Sequence, residues 1–204
     1  MKLPLPGRAF RAARARSSGA PVVRVFVFLL LSVVLLGCSY APTQSDAPAQ
    51  SEKEFNATDV AWLQLADALH TRALPLLGLV RGRAGSRALA DLAARLGRKH
   101  ENERARLRAL LARARVTGEN PHTQHDMPGM PTADALRTLT GLRDDAFDRR
   151  FVALLRAYLD QLVLVAEGEQ SSGRAPEARE LAAAMERDHT ADLAELDRVG
   201  GPER

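Results

Sequence analysis

The chain has 204 residues, with 29 Lys and Arg against 25 Asp and Glu, and a single cysteine, Cys38. One cysteine excludes an internal disulfide framework and a cysteine-based zinc site. The formal charge of +4 does not point to nucleic acid, because the basic excess is confined to one end of the chain.

That end comes first. Residues 1–37 hold six basic side chains (Lys2, Arg8, Arg11, Arg14, Arg16, Arg24) and no acid. Residues 25–36 form an apolar run broken only by Ser32. The run falls short of the ~20 residues needed to span a bilayer and suits the h-region of a secretory signal. It ends at Leu35-Leu36-Gly37-Cys38, which resembles a bacterial lipobox; an uncleaved signal anchor is the alternative. Cleavage before Cys38 leaves that residue to carry acyl chains, each buried CH₂ contributing ~0.8 kcal/mol to membrane attachment. The expectation is a signal peptide over residues 1–37 and a protein lipid-anchored to the extracytoplasmic side of the cell membrane. Without the six leader cations, 23 basic side chains face 25 acidic ones. Nucleic acid, whose recognition rests on cationic charge, is excluded as a partner. The membrane is the expected partner, and the sequence names no protein partner.

Residues 38–54 are rich in Ser, Pro, Ala and Gln without apolar periodicity, the composition of a flexible tether. Residues 55–204 are enough for one domain with its own core. The first helix is expected from an Asn56 cap, with Asp59 three residues on, to about residue 80, with a kink at Pro75. Gly82 and Gly85 mark a turn, and Ser86 caps a second helix reaching about residue 115. Basic residues cluster between Arg95 and Arg115, read as a solvated face in preference to a lipid or partner patch. After a linker over residues 116–143, with a short helix at 132–139, a third helix runs over about 144–170. Pro176 suits the first turn of a fourth helix that ends before Gly200. No stretch alternates with period two. The fold class is all-α, a four-helix bundle built from two helical hairpins, spanning about 55–115 and 144–204.

The two hairpins repeat each other at a constant offset of 89 positions. Asp59 falls on Asp148, Trp62 on Phe151, Leu65 on Leu154, Leu92 on Leu181, His100 on His189 and Leu107 on Leu196. Each copy carries His-x-x-acid: His100 with Glu103, and His189 with Asp192. On the second helix these interrupt the stripe Leu89, Leu92, Leu96, Leu107, Leu110; on the fourth they interrupt Leu181, Met185, Leu196, Val199. The spacing puts both pairs on core-facing positions. The other two helices bring only His70 and Tyr158 to the same depth, with no carboxylate opposite. A self-satisfied hydrogen-bonded layer and a metal site of imidazole and carboxylate are both open for His70, His100, Glu103, His189 and Asp192. A di-metal carboxylate centre lacks its acidic ligands.

Phe147-Asp148-Arg149-Arg150-Phe151, its first-copy counterpart Asp59-Val60-Ala61-Trp62, and the loop His125-Asp126-Met127-Pro128-Gly129-Met130 together resemble the domain of unknown function 305 family. That resemblance covers residues 55–199 and implies a duplicated, ferritin-like four-helix protein. Its members are often secreted or lipid-anchored, some of them associated with copper. The family's His-His pair in the first helix of each copy is replaced here by Leu69-His70 and Tyr158-Leu159, and its Gln-x-x-Glu by the two His-x-x-acid pairs.

The linker holds four further donors, His122, His125, Met127 and Met130. Imidazole with thioether is a soft set that favours copper, Cu(I) above all, and long irregular loops are usually functional or disordered. This loop is the expected metal site; an ordinary mobile surface loop is the alternative. There is no Gly-x-Ser-x-Gly, no phosphate loop and no cysteine–histidine nucleophile. The sequence therefore leads to a metal-binding, copper-handling lipoprotein without turnover, with a structural or interaction bundle carrying a degenerate site as the alternative.

Overall fold

The computed structural model describes residues 54–200; the leader, Cys38 and all but the last residue of the tether lie outside them. Five helices and no strands occur among the described residues: α1 (Ala57–Gly78), α2 (Arg87–Arg113), α3 (Ala133–Thr140), α4 (Asp144–Ser172) and α5 (Pro176–Gly200). None of them is long and apolar enough to cross a membrane. α1 packs along α2 and α4 along α5, while α1–α4 and α2–α5 contacts join the two hairpins. One apolar core runs through all four long helices, from Trp62, Leu69 and Leu76 through Leu92 and Leu96 to Phe151, Leu155, Leu181 and Met185.

Local signals set the helix ends. Asn56 and Asp59 form a reciprocal capping box at the start of α1, which satisfies two otherwise orphaned backbone donors. The Ser86 hydroxyl accepts from the Leu89 N–H, and Thr132 caps α3 in the same way. Pro75 lies inside α1 without ending it. Arg143 supplies no side-chain cap to α4; instead the Asp144 N–H donates to the Arg83 carbonyl at 2.7 Å, tying the start of α4 to the α1–α2 turn.

The repeated aspartates make a crossed connection. Asp59, on the first hairpin, accepts from the backbone N–H groups of Arg174 (2.8 Å) and Ala175 (3.0 Å), just ahead of α5. Asp148, on the second, accepts from those of Gly85 (3.3 Å) and Ser86 (2.8 Å), just ahead of α2. Each hairpin thus satisfies backbone donors at the turn of the other. The 89-residue offset holds here too, since Arg174 and Ala175 correspond to Gly85 and Ser86.

The linker is ordered. The Arg72 guanidinium donates to the carbonyls of Thr123 and Pro131 and to Asp126, and the Asn120 amide donates to the Gln64 carbonyl. Gly129 has φ +77°, and a Cβ there would come within 2.4 Å of Gln161 and 2.8 Å of the Ala157 carbonyl; only glycine lets the strap lie this close to α4. The basic face of α2 is largely neutralised. Arg104 and Arg108 share the buried Asp67 of α1, Arg95 pairs with Glu195, and Arg113 with Glu54 and Glu177.

Glu169 has no counterpart acid in the first copy, where the offset places Val80. It is buried and interacts with Asp59. Burial first, then the proton it shares with Asp59 and the charge of Asp59, raise its pKa to about 8, with Arg179 opposing. Its folded-state pKa is thus above the unfolded value of 4.5, so the protonated pair stabilises the fold fully below that value. The contribution is lost as pH rises towards about 8. Glu169→Gln, which keeps a donor for Asp59, is expected to flatten this part of the pH dependence. Urea midpoints of wild type and variant between pH 4.5 and 8 should agree at the acid end and separate towards the alkaline end as wild type alone loses stability; parallel curves would contradict the shared proton.

Candidate metal centre

Register alone brings the polar residues of the long helices together. His70 on α1, His100 on α2 and His189 on α5 are fully buried, and Glu103 on α2 nearly so. His100, Glu103 and His189 step by four from Leu96, Leu107 and Met185, and His70 by four and three from the buried Ala66 and Ala73, so none can leave the interior without breaking the apolar stripe of its helix. The ring centroids of His70 and His100 are 4.8 Å apart, and those of His100 and His189 5.3 Å.

All three rings present the same edge. The Nε2 atoms of His70, His100 and His189 and Oε2 of Glu103 are buried without hydrogen-bond partners. Glu103 Oε2 lies 3.4 Å from both His70 Nε2 and His189 Nε2. Metal–nitrogen and metal–oxygen bonds of about 2.0–2.2 Å in a tetrahedron set ligand atoms about 3.3–3.6 Å apart. The Glu103 separations fall at that edge length, and donor atoms of His70, His100 and Glu103 all lie within 4.8 Å of one another.

The opposite edges are held. His70 Nδ1 is 2.5 Å and His100 Nδ1 3.2 Å from the Tyr158 hydroxyl on α4. His189 Nδ1 is 3.2 Å from Asp192 Oδ2, and Asp192 is paired in turn with Lys99. Outer partners on the second ring nitrogen are what orient metal-binding imidazoles. The residue types suit Zn(II), Cu(II), Ni(II) or Fe(II), with imidazole dominant and no sulfur.

Burial, and then the neighbouring charges, hold the pKa of His70 and His100 well below the usual histidine value. Neutral rings are what a metal needs. At His189 burial works in the same direction, but the interactions with the Asp192 and Glu103 carboxylates outweigh it and the pKa is raised. Burial opposes ionisation of Asp192, and His189 and Lys99 overcome it, leaving that carboxyl below its usual range.

The five core residues singled out in the sequence do converge. Asp192 stands behind His189, while Glu103 reaches the shared face. The loop residues occupy different surroundings. Met130 is buried in the apolar core, Met127 packs against it, His122 is half-buried and His125 is exposed. Tyr158 is the group whose role the sequence hid. Its depth was legible, but a phenol opposite two histidines reads equally well as core packing. Asp67 and Glu169 carried no pattern signal at all.

Fold and site define an all-helical protein with a buried histidine–carboxylate cluster. The chain belongs to the family described as domain of unknown function (DUF305), which matches residues 59–199. Two solved structures share the fold. A DUF305 fragment from Deinococcus radiodurans is 19% identical with a TM-score of 0.64, over 73% of this chain and 99% of that one. A putative secreted DUF305 protein from Streptomyces coelicolor is also 19% identical, with a TM-score of 0.61, over 69% of this chain and 89% of that one. No curated protein matches the chain.

Asp192→Asn removes the leading interaction that raises the His189 pKa and leaves desolvation to dominate. The His189 midpoint, followed by NMR of its ring carbons against pH, is expected to move down. An unchanged midpoint would mean that Asp192 does not govern this ring.

Proposed function

We propose that the protein binds one divalent transition-metal ion, without turnover, through His70 Nε2, His100 Nε2, His189 Nε2 and Glu103 Oε2. The observation that carries the reading is a set of buried atoms without hydrogen-bond partners, with Glu103 Oε2 3.4 Å from Nε2 of both His70 and His189 and His100 within 4.8 Å of His70 and Glu103, each ring held from behind. Leaving such atoms unsatisfied costs free energy that ligation returns. By the usual order of divalent affinities Cu(II) binds more tightly than Zn(II), so copper is the favoured ion in its oxidised form. The loop set is the weaker candidate, because Met130 is spent on the core.

The architecture around the site is a four-helix, ferritin-like bundle of two repeated hairpins, a reading supported by the paired helix contacts and the crossed aspartate caps. The metal would bridge the hairpins, since His70, His100 and Glu103 come from one and His189 from the other. The setting is extracytoplasmic, with Cys38 as the lipid anchor. The basic leader and lipobox-like segment support this, as does the secreted relative from Streptomyces coelicolor.

Competition titrations of the full chain in detergent with Cu(II) and Zn(II) are expected to give one equivalent bound below micromolar. Metal at 100 times its Kd should stabilise the fold by about 2.7 kcal/mol. His189→Leu and Glu103→Gln should each weaken binding by more than the ~10–100-fold that outer partners contribute. A combined change of His122, His125 and Met127 should leave it intact. Absence of binding below micromolar would leave the alternative, a structural bundle with a degenerate site; sensitivity to the loop change alone would move the site to the linker.

A further inference from the structure

We infer that the Tyr158 hydroxyl is the positioning group of the centre: shared between two imidazoles, it decides which ring nitrogens of His70 and His100 are free to take a metal ion. The purpose of this arrangement rests on the metal-binding reading above; its geometry does not.

A neutral imidazole carries one N–H and one lone pair, and the partner of one nitrogen fixes the state of the other. Both Nδ1 atoms meet the same oxygen, at 2.5 Å for His70 and 3.2 Å for His100. A phenol has one proton, so it donates to at most one of them. The other ring must then donate its own Nδ1–H to the oxygen, which leaves its Nε2 lone pair open. The shorter contact assigns the phenol proton to His70. His70 then carries its proton on Nε2, 3.4 Å from the Glu103 carboxylate that can receive it. His100 carries its proton on Nδ1 and is already set for ligation.

Loading a metal on both Nε2 atoms requires His70 to release its Nε2 proton, with Glu103 as the receiving carboxylate, and to take one up at Nδ1 from solvent, while the hydroxyl keeps its own proton and turns from donor into acceptor of two N–H groups. Tyr158 can serve both arrangements because an oxygen with two lone pairs accepts twice. Among the described residues no second polar group does this job: the other hydrogen bond at an imidazole Nδ1 of the centre is that of Asp192 to His189. The sequence offset sharpens the point, since Leu69 stands at the equivalent position of the first copy and has no polar atom to offer.

The test begins with the metal-free full chain in detergent, treated with chelator and labelled with ¹⁵N at histidine. Long-range ¹H–¹⁵N spectra distinguish the two tautomers, and His122→Gln and His125→Gln variants remove the two loop signals. His100 is expected with its proton on Nδ1 and His70 with its proton on Nε2. In Tyr158→Phe, His70 should lose that preference. Cu(II) and Zn(II) affinity should fall about 10–100-fold, and the Cu(II) EPR spectrum should change while the helical content of the metal-free protein is kept. His70 and His100 in the same tautomer in wild type would overturn the inference, with no variant needed. So would unchanged tautomers and affinity in Tyr158→Phe. The expected tautomers without metal uptake would support the role of Tyr158 and sink the metal-binding reading alone.

Discussion

An imidazole taken out of water loses hydrogen bonds that an apolar core does not return, and a polar group buried without compensation costs roughly 2–7 kcal/mol. This chain places three imidazoles, a phenol and a carboxylate at one level of its core. Helix register leaves them nowhere else to go, because each lies on the apolar stripe that holds its helix in place. The surroundings answer half of the demand from within the protein. Tyr158 serves His70 and His100, and Asp192, anchored by Lys99, serves His189. The other half, the Nε2 edges and Glu103 Oε2, faces inward upon itself.

The duplicated sequence makes one centre rather than two because the copies differ by small amounts at the decisive places. Glu103 and Asp192 are equivalent by the 89-residue offset, yet the longer side chain reaches the shared face and the shorter one turns to its own histidine. His70 is matched by Leu159, and Tyr158 by Leu69, so donor and partner were each kept in only one copy. One methylene and two exchanges of polar for apolar residues convert a symmetric frame into a single asymmetric site.

Much of this was legible in the sequence. The helices, the capping Asn56 and Ser86, the turn at Gly82–Gly85 and the core position of both His-x-x-acid pairs follow from periodicity and propensity. What the chain could not reveal were contacts between elements far apart in it. Arg104 and Arg108 read as a solvated basic face, and Asp67, thirty-seven residues before Arg104, recruits both. The linker was expected as a metal site or a mobile loop, and nothing local points to Arg72, which straps it down from fifty-one residues before Thr123. Tyr158 could be placed at the right depth, but the direction of its hydroxyl depends on the packing of three helices at once.

The crossed bonds of Asp59 and Asp148 have a bearing on how such a chain can be divided. Each hairpin caps a turn that belongs to the other, and the relation is reciprocal, as in an isologous interface between identical subunits. A hairpin made alone would expose its aspartate and leave two backbone donors of its own turn unserved, while two copies of it could satisfy one another across a two-fold axis. The single chain thus carries the contact pattern of a homodimer whose halves have been joined by the linker. Joining them freed each half to change by itself, which is the condition for His70 and Tyr158 to exist in one copy only.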